Sequence, residues 1–280
     1  MKTLIAAADL MRELAGPHAP VLLDCRFDLA DPPAGRRAWA EAHLPGAFYL
    51  HLDDDLSGAK HGADGRFRGR HPLPERARFA ATLGALGIDE ATPVVAYDAQ
   101  GGPYAARAWW LLKWMGHEDV AVLDGGLPAW RAAGGAMTAA VPVPRAAPPY
   151  PVHAPAMPTL DAEAVRAGLG RLRLVDARAG ERFRGEVEPL DRAAGHIPGA
   201  HHRFFKDNLT PDGHFRSPDE LRALWAPLVS EGNIVHYCGS GVTACHNLLA
   251  AAHAGLGEGT LYPGSWSEWS DDPGRPQAKG

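Results

Sequence analysis

The feature that most constrains this chain is that it repeats itself. Leu22-Leu23-Asp24-Cys25-Arg26 is answered by Leu174-Val175-Asp176-Ala177-Arg178, and His43-Leu44-Pro45-Gly46-Ala47 by His196-Ile197-Pro198-Gly199-Ala200. Val94-Val95-Ala96-Tyr97 is answered by Ile234-Val235-His236-Tyr237, and the run from Asp124 to Trp130 by the run from Pro263 to Trp269. The order is the same in both halves, which coincidence explains for one pair but not for four in series. Between the halves, residues 141–158 hold seven prolines. Such a stretch lacks the N–H donors that a helix or central strand needs and is expected to run extended. The division this implies is an N-terminal domain over 1–140, a linker over 141–158 and a C-terminal domain over 159–280.

Each half alternates short apolar runs with helical patterns. Val21–Asp24, Val94–Tyr97 and Val120–Leu123 have strand length, and Ala105–Met115 reads as a helix ending near Gly116. Leu172–Val175, Ile234–Tyr237 and Thr260–Tyr262 are their counterparts. Ser217-Pro218-Asp219-Glu220 carries the signature of a helix start: a capping serine, a proline in the first turn and a glutamate that closes a capping box. The segment Met1–Asp9 reads as the start of a first helix, since Asp9 interrupts its apolar stretch and no small-residue cleavage site follows. Strands alternating with helices predict α/β domains, each with a largely parallel sheet.

Charge and cysteine content narrow the function classes. Net charge is −5, which favours neither nucleic acid nor an anionic membrane surface as partner. No apolar run approaches the ~20 residues of a membrane span. The three cysteines, Cys25, Cys238 and Cys245, are too few and odd in number for a disulfide scaffold, and point to a reducing cytoplasm. The histidines show no ligand spacing for a metal, and His201-His202 reads as a loop pair.

The segment that carries chemistry is Ile234-Val235-His236-Tyr237-Cys238-Gly239-Ser240-Gly241-Val242-Thr243-Ala244. An apolar strand runs into a tight loop, and a helical pattern from Ala244 to Ala254 is stopped by Gly255. Cys238 therefore sits where strand becomes loop, the end at which α/β sheets build their sites. Glycines let such a loop curl so that successive N–H groups point inward as an anion nest, and the helix start adds positive potential. Cys238 is expected to be a reactive thiolate, the form that acts as nucleophile. The same N–H groups would hold an added sulfur atom as a persulfide anion. Cys25 and Cys245 read as buried structural residues.

These residues resemble the rhodanese-like sulfurtransferases in their tandem two-domain form. The resemblance is carried by Cys238-Gly239-Ser240-Gly241-Val242-Thr243, by the two His-x-Pro-Gly-Ala boxes and by Gly264-Ser265-Trp266-Ser267-Glu268-Trp269. It implies two duplicated rhodanese-like domains, the first catalytically inactive because the place of Cys238 falls near Asp98. It implies that Gly239, Gly241, Val242 and Thr243 cradle the substrate sulfur, and that Arg182 binds substrate. It also implies a Ser240–His71–Asp53 set, assembled across a cleft, that protonates the leaving enolate or polarises its carbonyl. The uncharged Gly239 and Ser240 resemble the 3-mercaptopyruvate branch; the thiosulfate branch places basic residues there. The mercaptopyruvate branch usually adds an arginine just after the Glu-Pro, where this chain has Leu190, with Arg192 two residues on. No cofactor is implied. The partners implied are a small sulfur donor and a thiophilic acceptor: cyanide, a thiol or a thioredoxin-like protein. His43 and His196 read as braces for turns.

Two rival classes remain in view. A cysteine phosphatase uses the same strand, loop and helix but needs an arginine six residues after the cysteine, where this chain has Ala244. A non-catalytic interaction module would not need the intact Cys238 loop.

Overall fold

The repeat becomes two α/β units. The computed structural model describes residues 3–145, 147–229, 234–257 and 259–280. One unit comprises Met1–Ser57, Pro74–Met157 and Pro211–Phe215; the other comprises Gly58–Leu73, Pro158–Thr210 and Arg216–Gly280.

The first unit runs β1 (Leu4–Ile5), α1 (Ala7–Leu14), β2 (Val21–Asp24), α2 (Ala34–Glu41), β3 (Phe48–Tyr49), α3 (Arg76–Ala85), β4 (Val94–Tyr97), α4 (Pro103–Trp114), β5 (Val120–Leu123) and α5 (Gly126–Ala132). Its sheet has the order β1-β5-β4-β2-β3, with every pair parallel. The central strand β4 is buried along its whole length, as expected of a sheet covered on both faces. The expectation for Met1–Asp9 needs correcting. Leu4 and Ile5 form the edge strand β1, paired with Val122 and Leu123, because their apolar side chains complete the sheet; the helix begins only at Ala7. Met1 and Lys2 lie outside the described residues. The described residues of the proline-rich stretch form neither helix nor strand. It lies along the first unit, with Ala147 and Tyr150 donating backbone hydrogen bonds to Gly84 and Ala80 of α3.

The second unit runs α6 (Ala162–Ala167), β6 (Arg173–Asp176), α7 (Gly180–Phe183), β7 (His201–His202), a 3₁₀ turn (Phe205–Asn208), α8 (Pro218–Val229), β8 (Ile234–Tyr237), α9 (Thr243–His253), β9 (Thr260–Leu261) and α10 (Ser265–Asp271). Its parallel sheet has the order β7-β6-β8-β9. His201-His202, expected as a loop pair, is the edge strand β7, because its backbone pairs with Val175 and Asp176; the His202 ring also packs near Phe183, with Nε2 2.8 Å from the Arg178 carbonyl oxygen. The capping box forms as expected: the Ser217 N–H and hydroxyl donate to the Glu220 carboxylate at 3.0 and 2.6 Å.

The duplication persists in detail. Tyr97 donates its hydroxyl proton to Asp24 and accepts from the Leu44 N–H, while Tyr237 accepts from the Ile197 N–H at the corresponding place. Asp24 pairs with Arg26, as Asp176 does with Arg178. His43 stacks on Trp39 and hydrogen-bonds its carbonyl; His196 stacks on Phe183 and hydrogen-bonds that carbonyl. Both histidines brace a turn against an antiparallel bridge, His43 to Thr138 and His196 to Ala278.

Candidate active site

The second unit places Cys238 directly after β8, at the carboxyl edge of its sheet and ahead of α9. The loop is tight for a visible reason. Gly241 adopts φ +77°, and a Cβ there would stand 2.4 Å from the Pro263 carbonyl oxygen, so only glycine fits. That conformation turns the Gly241 N–H onto Cys238 Sγ at 3.2 Å. Val242 is buried at the N-cap of α9, and Thr243 opens the helix. The loop is anchored from the other side by α10, whose Trp266 and Ser267 N–H groups donate to the Cys238 and Gly239 carbonyls.

The Cys238 N–H is held by a residue in an unusual conformation. Ser265, at φ +54°, is the non-glycine residue with positive φ among those described. Its hydroxyl accepts from the Cys238 N–H at 3.1 Å and donates to the Tyr262 carbonyl at 2.9 Å. Sequence reasoning did not single out Ser265, although the repeat held the signal: the corresponding residue of the first unit is Gly126, at φ +56°.

Ser240 and His71 meet. Nδ1 of His71 lies 2.8 Å from the Ser240 hydroxyl, and both residues are buried. His71 belongs to the second unit because the segment Gly58–Leu73 is part of it. The segment is seated by close packing of Gly69 against Gly264, where a Cβ would come within 2.7 Å of the carbonyl oxygen, and by the Arg70 N–H donating to the Ser267 hydroxyl at 3.1 Å. Asp53 lies in the first unit, half-buried, with its N–H donating to His51 Nδ1 at 3.2 Å.

Arg182, on α7, joins a buried cluster of opposite charges. Its guanidinium donates to Glu188 at 2.7 Å and to Asp191 at 3.0 Å, and both carboxylate side chains are only 2% exposed. Glu188 also accepts from Arg178 and from the Leu190 and Asp191 N–H groups, so the residues after Glu188-Pro189 are folded around its carboxylate. Burial pushes the Asp191 carboxyl above its ordinary range, opposed by Arg70 and Arg182. Arg70, not anticipated from sequence, pairs with Asp191. Arg192 points away: it is 63% exposed and donates to the Asp271 carbonyl. Cys245 donates to the Gly241 carbonyl from inside α9. Cys25 is buried in the first unit, where burial and then Asp24 raise its thiol well above the usual range.

Chemically, this arrangement offers a thiol under a backbone N–H donor, a hydroxyl–imidazole pair one turn away and guanidiniums beside the loop. Known proteins show the same combination of fold and sequence. The rhodanese-like domain model matches residues 6–133 and 161–272. A Pseudomonas aeruginosa protein named "Probable 3-mercaptopyruvate sulfurtransferase" is 47% identical, over 99% of this chain and 98% of its own. The thiosulfate sulfurtransferase of Cricetulus griseus is 36% identical, over 91% of this chain and 86% of its own. Among solved structures, the 3-mercaptopyruvate sulfurtransferase of Leishmania major superposes with TM-score 0.84 at 32% identity, covering 96% of this chain and 74% of that one. Duplicated sheets, matching domains and full-length relatives agree: the chain belongs to the rhodanese-like family.

Proposed function

We propose that this protein is a sulfurtransferase that moves sulfane sulfur from 3-mercaptopyruvate to a thiophilic acceptor through a persulfide on Cys238. The observation that carries the reading is the Cys238 loop itself, with a backbone N–H on Sγ and the Ser240–His71 pair beside it. The Cys238 thiolate attacks the donor sulfur. The C–S bond breaks, its electron pair goes to the methylene carbon, and the sulfur remains on Cys238. The proton that the donor thiol loses ends on that carbon, giving pyruvate and a persulfide anion. Ser240 and His71, with Asp53 proposed as third member, are the groups that deliver it. The loop amides of Gly239, Gly241, Val242 and Thr243 stabilise the persulfide, and Arg182 binds the donor carboxylate. An acceptor thiolate, cyanide or a thioredoxin-like protein then takes the outer sulfur, restoring the Cys238 thiolate; two half-reactions predict ping-pong kinetics. All three cysteines are free, which supports a reducing, cytoplasmic setting.

Thiosulfate is the alternative donor, leaving as sulfite; the identity to the Cricetulus griseus enzyme favours keeping it. The test is intact mass after exposure to each donor. Wild type should gain ~32 Da with 3-mercaptopyruvate and Cys238→Ser nothing, and kcat/KM should favour 3-mercaptopyruvate. Ser240→Arg should shift that preference toward thiosulfate. A wild type that favours thiosulfate overturns the donor; a wild type that takes sulfur from neither donor overturns the activity.

A further inference from the structure

We propose that the first unit carries a ligand site of its own, shaped for a small aromatic carboxylate and anchored by Arg26; it does not rest on the sulfurtransferase reading. A cavity of about 530 Å³ opens at the carboxyl edge of that unit's sheet, lined by the loops after β2 and β4 and by α2 and α5. Its size lies within the roughly 300–1,000 Å³ of small-molecule pockets, and this edge is where α/β sheets bind ligands. Arg26, Ala42 and Leu127 line it, with Asp28, Glu41 and Arg131.

The repeat shows what completes such an arginine. Arg26 and Arg178 are equivalent: each gives Nε and Nη2 to the aspartate two residues before it, and Nη2 also to a backbone carbonyl, Ala42 in one unit and Gly195 in the other. In the second unit two further groups close the guanidinium. Glu188 accepts from Arg178 Nη1 at 3.2 Å, and the Trp266 ring lies 4.9 Å from Arg178 Cζ. The first unit supplies neither. Leu127 stands in the place of Trp266, since its N–H donates to the Asp98 carbonyl as that of Trp266 donates to Cys238. Among the described residues no acceptor meets Arg26 Nη1 and no ring stacks on its guanidinium, although Arg26 is only 6% exposed.

The chemistry of the ligand follows from what the second unit provides internally: a carboxylate for the remaining guanidinium nitrogen and a flat ring for its face. A charge-assisted hydrogen bond and a cation–π contact both gain strength where water is excluded. Asp24 and the Ala42 carbonyl hold the Arg26 fork in place, so the anchor is already oriented. Leu127 and Ala38 give the ring an apolar wall. The acids of the lining do not take the place of Glu188. Asp28 is exposed and accepts from the Ala30 N–H, and Glu41 is exposed, as is the cation Arg131. Charges in that position are screened by solvent far more than the buried fork is.

The experiment is equilibrium dialysis of the full chain against indole-3-acetate, with thermal melts as a check on folding. Two analogues divide the ligand: indole-3-ethanol keeps the ring without the carboxylate, and cyclohexylacetate keeps the carboxylate without the aromatic face. Two variants fill the cavity. Leu127→Trp restores the ring that the second unit carries, and Ala38→Phe blocks the wall from α2 at a half-buried position. Wild type should bind indole-3-acetate saturably, one per chain, and each analogue roughly tenfold more weakly or worse. Both variants should melt as wild type does and lose the binding. Arg26→Lys, which keeps a charge opposite Asp24 but not the planar fork, should weaken binding by a similar factor. The proposal is overturned if wild type does not saturate, if indole-3-ethanol binds as tightly as indole-3-acetate, or if either cavity-filling variant, folded, binds as wild type does.

Discussion

At the scale of the residue, the site depends on a serine where the backbone prefers glycine. A non-glycine residue at φ +54° carries steric strain of about 1–2 kcal/mol. Ser265 tolerates it because its hydroxyl closes a chain from the Cys238 N–H to the Tyr262 carbonyl. Ser265→Ala keeps the strain and orphans a buried N–H, so it should destabilise the protein by about 1–3 kcal/mol. Ser265→Gly loses the same hydrogen bond but relieves the strain, and should be the milder change. Denaturant melts of the two variants check the order. The repeat offers the control: Gly126, the corresponding residue, has positive φ and no hydroxyl, and there the Leu127 N–H still donates to the Asp98 carbonyl, as Trp266 does to Cys238.

At the scale of the element, the two strand–loop–helix segments are the same device curled around different groups. In the second unit the loop before α9 curls around the sulfur of Cys238. In the first unit the loop before α4 curls around a carboxylate. Asp98 accepts from the Gln100 and Gly102 N–H groups at 2.9 Å, and from the Tyr104 and Ala105 N–H groups at 2.9 and 3.1 Å. Burial pushes the Asp98 carboxyl up, and these four amides pull it down. The nest in the first unit is filled by its own side chain. Asp98→Ala should therefore cost about 3 kcal/mol or more, since several buried donors lose their acceptor together. Asp98→Asn, which keeps one oxygen, should cost less. Urea unfolding of the two variants measures both.

At the scale of the whole molecule, acid should reveal a buried histidine. Desolvation lowers His236, inside β8 and beside Trp225, to about 3. In the unfolded chain it takes its proton near the ordinary value of about 6.5. Its stabilising share is thus complete above about pH 6.5. As pH falls further, the share is lost at up to about 1.4 kcal/mol per pH unit until the folded value is reached. His236→Gln should flatten that limb of the stability–pH profile; an unchanged slope would refute the assignment. Much of the architecture was open to inspection beforehand because its causes are local. Apolar runs of strand length, a glycine-bearing loop and a cysteine before a helix each act over a few residues, and the repeat doubled every signal. The Ser217 capping box and the braces at His43 and His196 are legible for the same reason. Leu4–Ile5 and His201-His202 were not, since edge strands this short exist only through the neighbour they pair with. The chain alone therefore determined two α/β units and the sulfur-bearing loop, through contacts between residues close in sequence. The tertiary structure alone decided which distant groups surround that loop: His71 reaches Ser240 across 169 positions and Arg70 reaches Asp191 across 121. It brings Arg70 to the face of Gly239 because Gly58–Leu73 packs with the second unit, a choice made by its fit against α10 and not by any pattern within the segment.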